Sequence, residues 1–257
     1  MNDKFTNIPE DDQQADGIIE GRNCLNEALS LGKTIDKLFY AKGERDSSFG
    51  ALLAKARDNG IICVECDRRK LDFMSKTGNH QGVVAVCSVR EYCSVDDILK
   101  NAADSDRPAL IIICDQITDP HNLGAIIRSA DAAGAHGVII PKRRSAGLTS
   151  VVSKASAGAA EYLPVARVSN INMTISQLKE NGIWIYAACA GAESSIYKTD
   201  LTGPMAIVIG SEGDGISPLV EKNSDFLVNI PMIGKINSLN ASVATAVILF
   251  EALRQRG

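Results

Sequence analysis

The sequence is poor in aromatic side chains and contains no long apolar run. Phe, Trp and Tyr make up only 5% of its 257 residues, although hydrophobic residues reach 45%. So few rings argue against a stacking platform for single-stranded RNA, which needs several exposed aromatic side chains. No 18-residue apolar stretch free of helix breakers occurs, and no signal-peptide pattern is present. A soluble cytoplasmic protein is therefore expected, with enough apolar residues for one large domain or two modest ones.

The sequence also lacks the cysteine and histidine groupings that hold metal ions. Its seven cysteines are odd in number and scattered, and most lie in apolar, strand-like runs. We interpret them as small buried hydrophobic residues in a reducing compartment. Cys63 and Cys66 form a C-x-x-C pair, but no second pair follows at zinc-ligand spacing. An alternating strand would place these two thiols on opposite faces, so we expect no metal site.

An overall excess of positive charge, which would favour nucleic-acid binding, is missing as well. The formal net charge is −4, and residues 1–16 account for it with five acidic residues and one lysine. This acidic tail has little to bury and is expected to be disordered. The remaining 241 residues carry 26 acidic and 26 basic side chains, so a local basic patch can still steer RNA. The candidates are Arg68–Lys70 and Lys142–Arg144, and the alternative for each is an ordinary solvated turn.

Helix and strand patterns alternate along the rest of the chain in two blocks. Residues 17–92 combine short strands with helices that end at Gly32 and Gly60, which is typical of a small α/β domain. The polar stretch 93–108 predicts a linker with a helical piece. In residues 109–257, apolar runs of strand length such as ALIIIC and MAIVIG alternate with helical segments. That pattern predicts a mostly parallel sheet with crossover helices, whose ligands bind beyond the carboxyl ends of the strands.

The loop after Cys114 leads into the segment NLGAIIRSADAAG, which predicts a helix with Asn122 as its N-cap. Apolar residues at i, i+3, i+4 and i+7 form the buried face of this helix. Arg128 lies roughly opposite that face and is therefore available to a partner. The alternative is a surface ion pair between Arg128 and Asp131, which would contribute little.

The loops after the strands that end near Gly210 and Ile230 are the other two candidates. GSEGDGIS matches neither G-x-G-x-x-G nor a Walker loop, so a conventional nucleotide pocket is not supported. Its Glu212 lies at the mouth of the predicted sheet, where it can pair with an arginine. In the third loop, Ser238 and Asn240 precede a helix that is apolar on nearly all sides. Either residue can cap this helix, but a single cap does not require both.

Taken together, DPHNLGAIIRSADAAG, IVIGSEGDGIS and IPMIGKINSLNASVATAVILFE resemble the three signature motifs of the SpoU (TrmH-type) methyltransferases of the SPOUT superfamily. IIEGRNCLNEAL and GNHQGVVAV are similar to the small substrate-binding domain of that family. The resemblance covers about residues 17–257, and it is closest to the RlmB-like subgroup, which methylates a guanosine of 23S rRNA.

The resemblance implies transfer of a methyl group from S-adenosylmethionine to a ribose 2′-hydroxyl of RNA, by a homodimer with no metal and no membrane association. It also implies a C-terminal trefoil knot, which nothing in the hydrophobic periodicity of the sequence indicates. The motif positions with catalytic roles match Asn122, Arg128, Glu212, Ser238 and Asn240. The positions that contact the cofactor, largely through main chain, match Gly210, Ile230 and Leu239.

The role of Arg128 is open between two mechanisms, because arginine is a poor base. Its guanidinium can be deprotonated beside the positively charged cofactor, or it can orient the hydroxyl and an RNA phosphate. The second is favoured, since holding reactants in attack geometry itself lowers the barrier. Two other functions remain as alternatives: ribose methylation of a tRNA, and RNA or ribosome binding without catalysis.

Overall fold

The computed structural model describes residues 17–44 and 46–257, so the predicted acidic tail at 1–16 lies outside the described residues. Two structural units divide the chain. The first runs to Glu91 and also includes Gly147–Val151, and the second comprises Tyr92–Ala146 and Val152–Gly257. The chain therefore leaves the second unit for five residues and then returns to it.

A four-stranded mixed sheet forms the first unit. Its elements are β1 (Ile18–Glu20), α1 (Arg22–Ser30), β2 (Ile35–Ala41), α2 (Ser47–Asp58), β3 (Ile62–Cys66), α3 (Arg68–Met74) and β4 (Val83–Cys87). The strand order is β1-β4-β2-β3, and β2 and β3 run parallel while β4 is antiparallel to both neighbours. Cys63 packs with the apolar cluster that includes α1 and α2, whereas Cys66 packs with the cluster that includes α3. The C-x-x-C thiols thus lie on opposite sides of the sheet, as strand alternation predicts.

The excursion Gly147–Val151 groups with the first unit and is joined to it by a backbone hydrogen bond. Leu148 is buried, with 1% of its surface exposed. The Val89 backbone N–H donates to the Leu148 carbonyl oxygen at 2.8 Å. This segment therefore supplies a hydrogen-bond acceptor to the chain just after β4.

A seven-stranded sheet forms the second unit. Its elements are α4 (Val95–Ala103), β5 (Leu110–Cys114), α5 (Pro120–Ala132), β6 (Gly137–Pro141), α6 (Ser150–Ala155, which starts in the excursion), β7 (Val165–Val168), α7 (Ile171–Glu180), β8 (Trp184–Ala188), β9 (Ser194–Ser195), β10 (Met205–Ile209), α8 (Pro218–Asn223), β11 (Phe226–Asn229) and α9 (Ala241–Arg256). Short 3₁₀ turns lie at Ala159–Glu161 and Ile196–Lys198.

The strands of this sheet follow the order β7-β6-β5-β10-β8-β11-β9, and every neighbouring pair is parallel. The parallel sheet predicted for residues 109–257 is thus present. All the strand carboxyl ends meet at one edge, which we call the carboxyl edge. From β5 the chain builds outward through β6 and β7, and then places the later strands on the other side of β5. Ligands bind parallel sheets at such a switch point.

The sheet of the second unit is buried on both faces, which explains its continuous apolar strands. On one face, Ile111, Ile113 and Ile185 pack with apolar residues of α4, α7 and α8. On the other face, Ile112 and Ile207 are also fully buried. Within the described residues, no helix combines the length and the apolar character that spanning a bilayer requires.

The segment 93–108 differs from the expected linker in its packing. The predicted helical piece is present as α4, and the Ser94 side chain caps it. Ile98 is fully buried in the core of the second unit, and Cys93, Val95 and Leu99 pack against the same core. The segment is thus part of the second unit, because its apolar side covers one face of the sheet.

Helix α9 is covered on only one side by its own chain. Thr245, Ile248 and Leu249 are fully buried, whereas Val243 and Phe250 are 47% and 48% exposed. The interpretation of α9 as a helix without a polar face holds for its sequence. A single chain nevertheless leaves an apolar strip of this helix in contact with solvent.

Candidate active site

The glycine-rich loop after β10 closes on itself through two backbone hydrogen bonds. The Ser211 N–H donates to the Gly215 carbonyl and the Gly215 N–H donates to the Ser211 carbonyl, both at 3.0 Å. Gly215 has a φ of +68°, a conformation that glycine adopts without steric cost. A Cβ at position 210 would lie under 3.0 Å from Gly215 and from the Ile216 nitrogen. The loop therefore requires glycine at 210 because its own backbone occupies the space.

A buried aspartate fixes the far end of this loop. Asp115 directly follows β5 and is 4% exposed. Its N–H donates to the Ile209 carbonyl at 2.7 Å, and its carboxylate accepts from the Ser217 N–H at 2.7 Å. Ser217 is the residue before α8, so Asp115 connects the ends of β5 and β10 to the start of that helix. Sequence reasoning missed Asp115, although an acidic residue directly after an apolar strand at a switch point is a usable signal.

Side chains from all three sequence motifs meet at the carboxyl edge. The Asn122 amide donates to a Glu212 carboxylate oxygen at 3.0 Å, and the Asn240 amide donates to the Asn122 oxygen at 2.8 Å. The Asn240 amide also donates to Glu212. We call these three residues the amide–carboxylate cluster. Two amide donors stabilise the carboxylate charge and hold the three loops together.

Asn240 serves both the cluster and α9. Its side-chain oxygen accepts from the Ser242 and Val243 N–H groups at 3.0 and 3.3 Å, which caps the helix. Its amide nitrogen is left to donate into the cluster. Asn240 is therefore the cap of α9, whereas Ser238 is exposed in the preceding loop.

The N-cap predicted for α5 is wrong by three residues. Asp119 is the cap, and its carboxylate accepts from the His121 N–H at 2.9 Å. Pro120 takes the first helical position, which suits its fixed φ and missing N–H. Asn122 consequently lies inside the first turn, with its side chain directed to Glu212. Glu212 is bound by two amides here, and not by the arginine expected from the sequence.

A cavity of about 410 Å³ opens at the carboxyl ends of β8, β10 and β11. Gly210, Ile230 and Leu239 all line it, together with Glu212 and Ser238. The walls also contain the segment after β8 and several small or apolar residues, which are Ala188, Cys189, Ala190, Val228, Met232, Ala241 and Ala244. Sequence reasoning missed the segment after β8, since alanines give no chemical signature.

Comparison with protein-family profiles identifies the family to which this chain belongs. The profile of the SpoU rRNA Methylase family matches residues 109–250, and the profile for RNA 2′-O ribose methyltransferase substrate binding matches residues 18–93. The chain belongs to the SpoU family of RNA methyltransferases. The family inferred from the motifs is therefore confirmed, and the cavity and the amide–carboxylate cluster lie within the SpoU-matched region.

Individual SpoU and TrmH relatives match along nearly the whole chain. YacO of Bacillus subtilis strain 168, assigned to the TrmH family of tRNA/rRNA methyltransferases, is 44% identical over 244 residues, which cover 95% of this chain and 97% of YacO. A protein with the same family assignment from Staphylococcus aureus strain MSSA476 is 43% identical, with 94% and 97% covered. The crystal structure of the SpoU methyltransferase AviRb from Streptomyces viridochromogenes, in complex with the cofactor AdoMet, matches with a TM-score of 0.60 at 28% identity, covering 93% of this chain and 90% of AviRb.

Arg128, the remaining residue of the SpoU motifs, lies apart from the cluster. It is exposed on α5, six residues after Asn122, which places it about 9 Å further along the helix axis. In the part of the chain that the structure describes, its guanidinium makes no hydrogen bond or ion pair, and the pair with Asp131 is not formed. Arg128 does not line the cavity of its own chain. Its charge is therefore available to RNA or to another protein chain.

Other ionisable groups contribute little to this SpoU site. Burial raises the pKa of the Cys189 thiol at the cavity wall, so the thiol stays protonated at neutral pH. Among residues 17–44 and 46–257, no group of three His, Cys, Asp or Glu side chains is placed to hold a metal ion. Around the apolar part of the cavity, the site offers the carboxylates of Glu212 and Asp214, serine hydroxyls, asparagine amides and main-chain groups.

Proposed function

We propose that this protein transfers the methyl group of S-adenosylmethionine to the 2′-hydroxyl of a guanosine in 23S rRNA, as a cytoplasmic enzyme of the RlmB-like subgroup. The observation that carries the proposal is the amide–carboxylate cluster, which joins the three SpoU motifs beside a cavity of cofactor size. The substrate-binding profile at residues 18–93 supports RNA as the substrate.

The cavity fits S-adenosylmethionine in volume and in lining. Its 410 Å³ falls within the range of about 300–1,000 Å³ that small-molecule and cofactor sites occupy. We propose that main-chain groups of Gly210, Ile230 and Leu239 hold the cofactor, while Ala188 and Val228 contact its apolar parts. When bound, S-adenosylmethionine supplies an electrophilic methyl group on a sulfonium centre. The complex of AviRb with AdoMet supports this assignment.

The protein's own residues position the reactants and control charge. The ribose hydroxyl is a weak nucleophile and loses its proton during attack. We propose that Arg128 orients this hydroxyl and an adjacent RNA phosphate, which stabilises the loss of the proton. Glu212, held by Asn122 and Asn240, fixes the glycine loop at the cavity mouth. Ser238 presents its hydroxyl from the opposite loop.

A homodimer is part of the proposal. Arg128 is outside the cavity of its own chain, and the strip with Val243 and Phe250 leaves α9 partly uncovered. A second copy packed on this strip would bury apolar surface, which is the usual driving force for association. The C-terminal trefoil knot of the SpoU resemblance belongs to the same proposal. A monomeric mass in light scattering at micromolar concentration would overturn the dimer.

Methyl transfer is tested with tritiated S-adenosylmethionine and RNA transcribed in vitro. We expect acid-insoluble label on 23S rRNA, on a ribose of guanosine after nuclease digestion, and none with Arg128→Ala. Label on transcribed tRNA alone would identify a tRNA methyltransferase instead. The absence of label on both RNAs, with RNA binding retained, would identify a non-catalytic binding protein.

A further inference from the structure

A basic loop follows β6 in a stretch of the chain that contains no acidic residue. Between Asp131 and Glu161 the sequence has no Asp or Glu, while it carries Lys142, Arg143, Arg144 and Lys154. The three consecutive basic residues come directly after Pro141, the last residue of β6. The local charge is therefore positive although the whole chain is acidic.

The fold places this loop on the same edge as the cofactor cavity. β6 is parallel to β5, and β5 is parallel to β10, so the carboxyl ends of all three strands point the same way. β6 lies two strands from β10, which is about 10 Å at the usual spacing of neighbouring strands. The basic loop therefore lies at the carboxyl edge two strand positions away from the loop that contains Gly210 and Glu212.

Backbone hydrogen bonds hold both ends of the basic loop. The Lys142 N–H donates to the Val168 carbonyl at 2.7 Å, and the Ala146 N–H donates to the Ile117 carbonyl at 2.8 Å. Between these two hydrogen bonds Arg144 has a φ of +54°, a left-handed conformation that is unfavourable for a residue other than glycine. Glycine would adopt this conformation without that cost, so the Arg144 side chain is held in place at the expense of stability.

The side chains of Arg143 and Arg144 have no partner among the residues that the structure describes. Both are exposed, and within the described residues neither guanidinium makes a hydrogen bond or an ion pair. The backbone that carries these two charges is already held in place and loses little further freedom on binding, which favours a ligand of opposite charge. Guanidinium groups bind phosphate with two parallel hydrogen bonds.

We propose that Arg143 and Arg144 bind the phosphates of the RNA strand that flanks the target ribose. The inference rests on the proposed function and adds the path of the substrate. A separation of about 10 Å corresponds to roughly three nucleotides at the axial rise of a stacked strand, about 3.4 Å each. The loop therefore holds the backbone within a few nucleotides of the methylated position, and it sets affinity for RNA without reading a base.

The test measures binding of in vitro transcribed 23S rRNA to the full-length protein by filter retention at several KCl concentrations. Each phosphate contact contributes about 0.7 to 0.9 to the slope of log affinity against log salt. The double variant R143A/R144A is expected to bind at least tenfold more weakly and to lose about 1.4 to 1.8 of that slope. R143K/R144K keeps both charges and should retain the slope.

Three readouts separate an RNA-binding role from a structural one. R107A removes an exposed arginine near the amino end of β5, and we expect it to bind RNA as the wild type does. R144G relieves the left-handed strain, so we expect a melting temperature at or above that of the wild type together with weaker RNA binding. S-adenosylmethionine affinity should be unchanged in R143A/R144A.

The outcomes distinguish this inference from the proposed function. An unchanged salt slope and affinity in folded R143A/R144A would overturn the role of the loop, even if the wild type methylates RNA. A wild type that binds 23S rRNA through this loop but transfers no methyl group would overturn the proposed function alone.

Discussion

Gly210→Ala is expected to weaken S-adenosylmethionine binding by about 30-fold while the protein remains folded. The new Cβ would lie under 3.0 Å from backbone atoms of Gly215 and Ile216, whereas ordinary contact begins at 3.4 Å. The obstacle is backbone and not a flexible side chain, so the loop has to open. Opening separates the two 3.0 Å hydrogen bonds between Ser211 and Gly215.

The magnitude is set by those two bonds and by the clash. Each net backbone hydrogen bond is worth about 0.5–1.5 kcal/mol, so opening the loop loses about 2 kcal/mol of stability. That loss would lower the melting temperature by about 4–8 °C in a protein of this size. The loop opens because the clash with the methyl group costs more than the two bonds; if only the closed loop binds the cofactor, a clash that exceeds the bonds by a further ~2 kcal/mol raises the dissociation constant roughly 30-fold.

Isothermal titration calorimetry with S-adenosylmethionine measures the effect, and thermal melting verifies the fold. Gly213→Ala is the matched control, because Gly213 lines the same cavity and a Cβ there meets nothing within 4 Å. We expect Gly213→Ala to bind within about twofold of the wild type. Wild-type affinity in a folded Gly210→Ala protein would refute the steric reasoning and the placement of the cofactor.

Three further perturbations address catalysis, capping and pH. Arg128→Ala should bind S-adenosylmethionine normally in calorimetry but lose methyl transfer by about 10²-fold or more; an active variant would refute its role. Asn240→Ser keeps an oxygen that caps α9 but loses the amide that binds the site carboxylate, so we expect a near-normal melting temperature and about tenfold slower methyl transfer. Burial and the neighbouring Arg107 lower the pKa of His136 below 6.5. The unfolded chain therefore takes up this proton first, and stability falls as the pH drops from about 6.5 towards the folded pKa. His136→Gln should flatten that part of the melting-temperature profile, and an unchanged profile would contradict the assignment.

The fold was predictable because its strongest signals are long and local. The apolar runs of β5 and β10 contain no polar residue and have the length of strands, and such runs are typical of a sheet that is covered on both faces. The helix ends at Gly32 and Gly60 were predictable because helices commonly end at a glycine in the left-handed conformation. Both glycines have positive φ, at +70° and +71°. Elements such as β9 and α8, with two and six residues, are too short to show a period.

The site was predictable as a set of segments but not in its contacts. The sequence places Asn122 beside a helix start, and Asn is a good N-cap, yet Pro120 moves the start to Asp119. Glu212 looks like a partner for an arginine, and only the meeting of distant loops shows that Asn122 and Asn240 bind it. These contacts join residues separated by 90 and 118 positions, which no local pattern encodes.

The same limit applies to residues whose importance comes from packing. The position of Asp115 after an apolar strand is visible in the sequence, but its partner is not, because Ser217 binds it through a backbone N–H. The polar composition of 93–108 predicts a linker, but Ile98 is buried in the core and Cys93, Val95 and Leu99 pack against the same core, which anchors α4. A few well-placed apolar residues can thus outweigh the average composition of a segment.

The excursion Gly147–Val151 determines how this protein can be recombined with its relatives. A chimaera that takes its substrate-binding unit from another SpoU protein by exchanging residues 17–91 alone would leave the native segment 147–151 in a foreign unit, with the Leu148 carbonyl facing a foreign residue 89. The transferable module is discontinuous in sequence: it consists of residues 17–91 together with 147–151. Exchange of this unit between family members therefore needs two grafts, and the second of them begins three residues beyond Arg144.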